Sequence, residues 1–429
     1  MISRRNFIKY TSGSTGLLLS GCYNKSFNSK SAHVVIIGGG YAGATAAKTI
    51  RMLDPMIKVT LIEPKTQYIS CPGSNWVFAG LKAIDSLSFG YQNLSKHYGV
   101  KLIHDRVTDI NPAKHLITLS NQQAIHYDRL IVSPGIDFKW DNIEGHDESS
   151  SHIIAHAWKA GTQTTLLNNQ LKAMPDGGTV IICAPPNPFR CPPGPYERAS
   201  MIAHYLKRHK PKSKILIIDP KSQFSKQALF IDGWERHYGY GTNNSMIKWL
   251  SVPDNPVIRV DVKNKIVETD FGDLFKADVL NYIPTQKAGY IAEITGLTNA
   301  SGWCPIKHKT SESTLLSDIH VIGDAAIYSP LPKSAFAANS EAKMCAFAIV
   351  NLLNGTELIE PTWINTCYSL ITENHGISIN MVYKLDEQEK LIKVNGAGGV
   401  SKRLDKDSLA LEAFYAKQWF DRISTDSFD

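Results

Sequence analysis

His33-Val34-Val35-Ile36-Ile37 runs directly into Gly38-Gly39-Gly40-Tyr41-Ala42-Gly43, and the reading of this stretch decides the fold. The first five residues are an almost continuous apolar, β-rich run, the pattern of a strand buried on both faces of a parallel sheet. Ala44 to Leu53 reads as a helix, and Val59 to Ile62 as the next strand, ending at Glu63. Strand, Gly-rich turn, helix and strand in this order are the context that a dinucleotide-binding unit requires. Gly38 permits the tight turn, Gly40 lets the backbone approach a pyrophosphate, and Gly43 lets helix and strand pack closely. The helix N-terminus offers free N–H groups and a partial positive charge to the phosphates. Glu63 stands twenty residues after Gly43, where an acid takes the ribose hydroxyls. A bare GxGxxG carries little; the flanking elements and the acid make it specific.

Downstream, Asp128-Arg129-Leu130-Ile131-Val132-Ser133-Pro134-Gly135 is a short strand ending in a small-residue turn. Ile319-His320-Val321-Ile322-Gly323-Asp324-Ala325 is a strand that delivers Gly-Asp-Ala. Flavoproteins with two dinucleotide domains look like this, and in them the acid at Asp324 holds the ribityl chain of FAD. The helix that follows, from about Ser334 to Leu353, would aim its positive end at the flavin ring. Between these pieces lies a second βαβ-like block: a strand at Gly178 to Ile182, a helix from about Tyr196 to Arg208, and a strand at Lys214 to Asp219. Its turn, Ala184 to Pro195, holds six prolines and a single glycine, Gly194. Proline supplies no N–H, so this turn cannot cradle a second pyrophosphate; it reads instead as a stiff segment that places Cys191 and Glu197. The tail from about Pro361 onward is a third unit, ending in an aromatic-rich helix with Phe414, Tyr415, Trp419 and Phe420, most of which are expected to pack into the core.

The bulk properties agree with a multi-unit globular protein. The chain has 429 residues, 43% of them hydrophobic and 20% charged, and a net charge of +7. The densest basic cluster, Lys207, Arg208, His209, Lys210 and Lys212, reads as the end of an amphipathic helix without a nucleic-acid motif around it, so no nucleic-acid partner is expected. Ser3-Arg4-Arg5-Asn6-Phe7-Ile8-Lys9 is a twin-arginine export pattern. The apolar run after it is far shorter than the ~20 residues of a membrane span, and no transmembrane helix is expected. It ends in Leu19-Ser20-Gly21-Cys22, which resembles a lipoprotein cleavage box and would make Cys22 a lipidated N-terminus; an ordinary signal with an incidental cysteine is the alternative. The seven cysteines form no CxxC and no haem-attachment pattern, and no Cys/His cluster has metal-ligand spacing. Neither a c-type haem nor a metal is expected in this chain.

From about Ser31 to the C-terminus the chain resembles the flavin-binding subunit of flavocytochrome c sulfide dehydrogenase. The residues that carry the resemblance are Phe189 to Ser200, Gly302-Trp303-Cys304-Pro305, Pro332-Lys333-Ser334 and Asn365-Thr366-Cys367-Tyr368. The parent group, disulfide-reductase-like flavoproteins, also includes the sulfide:quinone oxidoreductases. The resemblance implies an α/β fold of two Rossmann-like domains, as in glutathione reductase, plus a smaller C-terminal α+β domain. The implied division is a signal over 1–22, a linker over 23–31, an FAD-binding domain over 32–170 and 300–360, a second Rossmann-like domain without a nicotinamide site over 171–299, and an interface domain over 361–429.

The resemblance also implies roles. Cys71 matches the cysteine joined covalently to the flavin, and Cys191 and Cys367 match a redox-active disulfide at the flavin face. Glu197 matches an acid beside that pair, positioned to accept the proton of an incoming hydrosulfide. Trp419 matches an aromatic between flavin and a partner haem, and Phe336 stands where the family has tyrosine, which keeps an aromatic role and removes a hydroxyl one. Cys304 lies in a family motif without a role; Cys183 and Cys345 read as small buried hydrophobes. The implied reaction is attack of hydrosulfide on the disulfide, transfer of two electrons to FAD, release of zero-valent or polysulfide sulfur, and exit of electrons to a c-type cytochrome subunit. Three rivals stand beside it: a sulfide:quinone oxidoreductase, disfavoured by the charges scattered through the tail; an NAD(P)H-dependent disulfide reductase, disfavoured by the missing second GxGxxG; and a non-catalytic flavin electron-transfer subunit, disfavoured by the presence of both cysteines and Glu197.

Overall fold

The first strand, His33–Ile37, is buried from Val34 onward, which is why its apolar run does not alternate. It lies inside a seven-stranded sheet, parallel to Lys58–Ile62 on one side and Arg129–Val132 on the other. Lys101–Ile103 extends the parallel part at one edge and Ile319–Val321 at the other. Two short antiparallel strands, Ile306–Lys307 and Glu312–Ser313, finish that second edge. The computed structural model describes residues 31–402 and 406–429; the twin-arginine stretch, Cys22, most of the linker and Asp405 lie outside the described residues.

The helix Tyr41–Leu53 packs on the helix Ala335–Asn354. Their contact is built from alanines, among them Ala42, Ala46, Ala338, Ala342 and Ala346, all buried. Small side chains let the two helices approach closely, so the turns that precede both helices are held near one another at the end of the sheet.

A second parallel sheet orders Ile247–Ser251, Lys214–Asp219, Thr179–Cys183 and Val279–Tyr282. The helix Gly194–His209 follows the Pro-rich turn, with Pro195 in its first turn, where a missing N–H costs nothing. Each parallel sheet is accompanied by a three-stranded antiparallel meander, Val107–His126 and Val257–Lys276. Ile136–Phe138 pairs with Gln286–Ala288 between the two halves.

The C-terminal part is a three-stranded antiparallel sheet, Thr362–Thr372, His375–Leu385 and Leu391–Val400, against which the helix Lys406–Phe428 packs. The end of this helix reaches back to the first one: Thr45 Oγ1 donates to Ser427 Oγ at 2.9 Å, Tyr41 and Ser424 hydroxyls lie 3.0 Å apart, and Phe428 stacks on Phe89. The expectation that the helix aromatics pack into the core holds for Phe420, which is buried, and fails for Phe414 and Tyr415, which are 53% and 45% exposed. Helical spacing puts these two on the face turned away from the sheet. Among the described residues no helix is long and apolar enough to cross a membrane.

Candidate active site

The glycine-rich turn is shaped as its sequence requires. Gly38 adopts φ +96°, and a Cβ on Gly43 would lie 1.9 Å from the Gly38 carbonyl oxygen, so any larger residue at 43 would drive helix and strand apart. Gly40 stands just ahead of the helix, and only one side-chain atom, at 3.6 Å, would come near a Cβ placed on it. The first-turn amides of the helix Tyr41–Leu53 have no partner within the helix, and Tyr41 and Ala42 both face a cavity of about 450 Å³. Glu63 lies at the same cavity; its carboxylate accepts from the Gly39 amide at 2.9 Å and the Lys65 amide at 3.1 Å.

Asp324 closes the other side. It sits in a single turn, Gly323–Ala325, with Oδ2 3.7 Å from the Arg190 guanidinium and Oδ1 buried without a hydrogen-bond partner. Burial pushes its carboxyl up, against the opposing pull of Arg190 and Lys333. An acceptor buried at a cavity wall and left unpaired is what a hydroxyl-bearing chain satisfies. Together with the free amides and the open cradle at Gly40, this fits FAD: Gly38, Gly40 and Gly43 would shape the pyrophosphate turn, and Glu63 and Asp324 would accept from the ribose and ribityl hydroxyls.

The same cavity collects the sulfur residues. Cys71, Cys191 and Cys367 all line it, with Glu197 and Trp419. Cys71 follows the strand Gln67–Ile69, and its Sγ lies 3.6 Å from the Trp158 carbonyl. Cys191 is held with φ +58°, a left-handed conformation that costs a non-glycine residue ~1–3 kcal/mol. Its amide donates to the Lys333 carbonyl at 2.8 Å and its carbonyl accepts from Gly194 at 2.8 Å, so the Pro-rich turn is pinned on both sides of the thiol. Cys367 is buried within the strand Thr362–Thr372. Both are free thiols in this structure. Burial comes first in pushing both thiols up; the first opposing pull is Arg190, ahead of Lys226, at Cys191 and Lys226 at Cys367.

Glu197, in the first turn of the helix Gly194–His209, accepts three N–H donors: Trp76 Nε1 at 3.1 Å and the Leu370 amide at 3.0 Å on Oε1, and Asn75 Nδ2 at 3.0 Å on Oε2. Trp419 stacks on Phe336 with ring centroids 6.5 Å apart, so Phe336 meets the cavity through Trp419. Cys304 is buried and its amide donates to the Ala325 carbonyl beside Asp324, a packing position. Sequence reasoning missed Asn75, Trp76 and Arg198, the buried residues that orient Glu197, and Lys226 behind Cys367. Asn75, Trp76 and Lys226 come from elements distant in sequence from the residues they serve, and no local pattern marks them; Arg198 is next to Glu197 on the same helix and acts on it through Asn75.

At the mouth of the second parallel sheet a separate cavity of about 580 Å³ is lined by Phe189, Pro192, Lys221 and Phe224, and the acid beside it is turned inward. Asp219, at the end of its strand, is fully buried and accepts from Tyr196 Oη at 2.5 Å and Trp249 Nε1 at 2.9 Å, with Lys221 Nζ at 2.6 Å. Phe224 stacks on Tyr196 at 3.7 Å. Tyr196 and Trp249 hold Asp219 by Oδ2, and Lys221 faces Oδ1.

Fold and site together define a two-domain FAD flavoprotein of the disulfide-oxidoreductase class. Residues 32–172 match the family described as pyridine nucleotide-disulphide oxidoreductase. Residues 164–284 match the central part of the sulfide dehydrogenase (flavocytochrome c) flavoprotein chain, and 359–428 match the flavocytochrome c sulphide dehydrogenase flavin-binding family. The chain belongs to the family of flavocytochrome c sulfide dehydrogenase flavoprotein chains, within the sulfide-oxidising flavoprotein oxidoreductases. It is 59% identical over 44 residues to the sulfide dehydrogenase flavoprotein chain of Chlorobaculum thiosulfatiphilum, covering 10% of this chain and 92% of that sequence. It is 29% identical over 183 residues to a sulfide-quinone reductase of Aquifex aeolicus, a match spanning 43% of this chain and 41% of the reductase. The solved sulfide:quinone oxidoreductase of Aquifex aeolicus shares the fold, with a TM-score of 0.73 at 18% identity over 92% of each chain.

Proposed function

We propose that this chain oxidises hydrosulfide to zero-valent or polysulfide sulfur through a Cys191–Cys367 disulfide and FAD, and hands the electrons to a c-type cytochrome subunit. The observation that carries the reading is the convergence of Cys71, Cys191, Cys367 and Glu197 on the cavity that Gly38–Gly40, Glu63 and Asp324 also line. When bound, FAD supplies a two-electron acceptor that can release electrons singly. Cys71 tethers it as a thioether, which suits a protein exported in folded form. In the oxidised protein Cys191 and Cys367 form a disulfide; hydrosulfide opens it, one cysteine taking the incoming sulfur and the other departing as a thiolate. Glu197 accepts the substrate proton, exchanging one of its N–H donors for it. Trp419, with Phe336 behind it, stands on the electrons' way out. The export pattern places this chemistry in the periplasm, with Cys22 as a candidate lipid anchor.

A quinone is the competing acceptor, and one observation favours it: the C-terminal helix exposes Leu411, Phe414 and Tyr415 on one face. Anaerobic stopped-flow absorbance decides. Hydrosulfide should bleach the flavin while NADH and NADPH leave it oxidised, and the reduced protein should reduce a c-type cytochrome faster than a soluble quinone. Rapid reduction by NADH, or preference for quinone over every cytochrome tried, would overturn the respective part of the reading. Non-reducing peptide mapping tests the disulfide, and a Cys191–Cys304 pair would overturn its assignment.

A further inference from the structure

Behind Cys367 the protein buries a lysine that the exchange reaction as described does not use. Lys226 precedes the helix Gln227–Tyr238 with φ +59°, a conformation sparsely populated by residues with a side chain. Its side chain is turned inward and is 8% exposed. Nζ donates to Ser369 Oγ at 2.9 Å and reaches the carbonyls of Cys367 and Ile377, each at 3.5 Å. All three acceptors are neutral, and an ammonium withdrawn from water is costly unless an anion meets it.

Burial pulls the Lys226 ammonium down, and four groups able to carry negative charge work against it: Cys367 first, then Glu197, Cys191 and Glu412. Glu197 is committed to three N–H donors. Glu412 acts least on Lys226 of the four, and its Oε1 accepts from Ser378 Oγ. Cys367 has a further source of positive potential. Ser334, which caps the N-terminus of the helix Ala335–Asn354, draws the thiol down, while the thiol donates to Asn365 Oδ1 at 3.8 Å, an oxygen that also accepts from Ser334 Oγ. Helix N-termini and lysines are the settings that favour a thiolate. Cys191 has Arg190 ahead of Lys226 as its opposing cation and lies just before the helix Gly194–His209, but it is the more exposed of the two residues.

We propose that Lys226 is a positioning residue of the thiol–disulfide exchange, which makes Cys367 the departing thiolate and Cys191 the sulfur that hydrosulfide attacks. This rests on the disulfide reading given above. In the step, HS⁻ forms a new S–S bond to Cys191 as the Cys191–Cys367 bond breaks. The electron pair of the broken bond stays on Cys367 beside Lys226, and Cys191 leaves the step as a persulfide. The better-stabilised thiolate is the better leaving group, and the more exposed sulfur is the one a dissolved nucleophile reaches.

The test uses the full chain with its flavin. After reduction, iodoacetamide alkylation across pH is quantified cysteine by cysteine by mass spectrometry. Cys367 should titrate at lower pH than Cys191. In Lys226→Met its midpoint should rise by about 1 pH or more, with partial return in Lys226→Arg. Trapping after one equivalent of sulfide should find the extra sulfur on Cys191. Extra sulfur on Cys367, or an unmoved Cys367 profile in a Lys226→Met protein with unchanged melting temperature, would overturn the proposal. If Lys226→Met does not fold, the unaltered protein still decides, because Cys191 titrating first overturns it as well. Non-reducing peptide mapping separates the two levels. Absence of the Cys191–Cys367 disulfide sinks the proposed function with it, whereas an intact disulfide with an unmoved profile sinks only the role of Lys226.

Discussion

Replacing Glu197 by glutamine changes one oxygen for one NH₂ group, and the surroundings fix what that does. Oε1 can keep the Trp76 and Leu370 donors. The new NH₂ then faces Asn75 Nδ2, which now donates to Oε2 and to the Gly194 carbonyl. Asn75 cannot turn its oxygen toward the intruder, because that oxygen accepts from Arg198 Nε at 3.1 Å and a turned amide would point NH₂ at a guanidinium. Arg198 is itself locked: it donates to the His156 carbonyl at 3.0 Å and Asn281 Oδ1 at 2.8 Å, and also to the Ala157 carbonyl. Two NH₂ groups are thus forced together in a buried site, and leaving a buried donor unmet costs ~1–3 kcal/mol. Glu197→Gln should lose about that much stability in urea denaturation. If Glu197 accepts the substrate proton, flavin bleaching by hydrosulfide should slow further, by roughly 10²–10⁴-fold, with the slowing greatest where the substrate carries most protons. Unchanged stability would refute the locked network. A bleaching rate within a few-fold of the parent, at every pH tested, would refute the base and leave Glu197 a purely structural acceptor.

Three further outcomes are expected. Burial raises the Glu341 carboxyl from 4.5 to about 8 although Gly323 N–H donates to it at 2.7 Å. The folded protein therefore holds a proton that the unfolded chain releases, and this stability is complete below pH 4.5 and is lost as pH rises through 8. Glu341→Gln should flatten that decline, and equal loss of melting temperature in variant and parent between pH 5 and pH 9 would contradict it. Cys71→Ala should keep FAD through the intact turn but release it on acid precipitation, whereas the parent's pellet stays fluorescent; flavin wholly in the parent's supernatant would rule out the thioether. Trp419→Ala should slow cytochrome reduction more than flavin bleaching in stopped flow, and equal slowing of both would remove Trp419 from the electron path.

The FAD-binding half was legible because its determinants are local. A buried parallel strand needs an unbroken apolar run, and the turn after it needs glycines at Gly38 and Gly43, where a Cβ would strike backbone; both demands are written within a few consecutive residues. The poverty of the second turn in N–H donors is read in the same local way, since six prolines between Ala184 and Pro195 remove N–H groups whatever the rest of the chain does. The tertiary structure decided what depends on pairs far apart in sequence. Only the fold brings Cys191 and Cys367 to one cavity, turns Asp219 inward onto Tyr196 and Trp249, and leaves Phe414 and Tyr415 outside while Phe420 goes in. Lys226 shows the reason most plainly. Nothing around it in the sequence marks it, because lysine is mostly a surface residue. Its burial follows from a left-handed turn that aims Nζ at a strand more than a hundred residues away, and long-range electrostatics of that kind leave no periodicity to read.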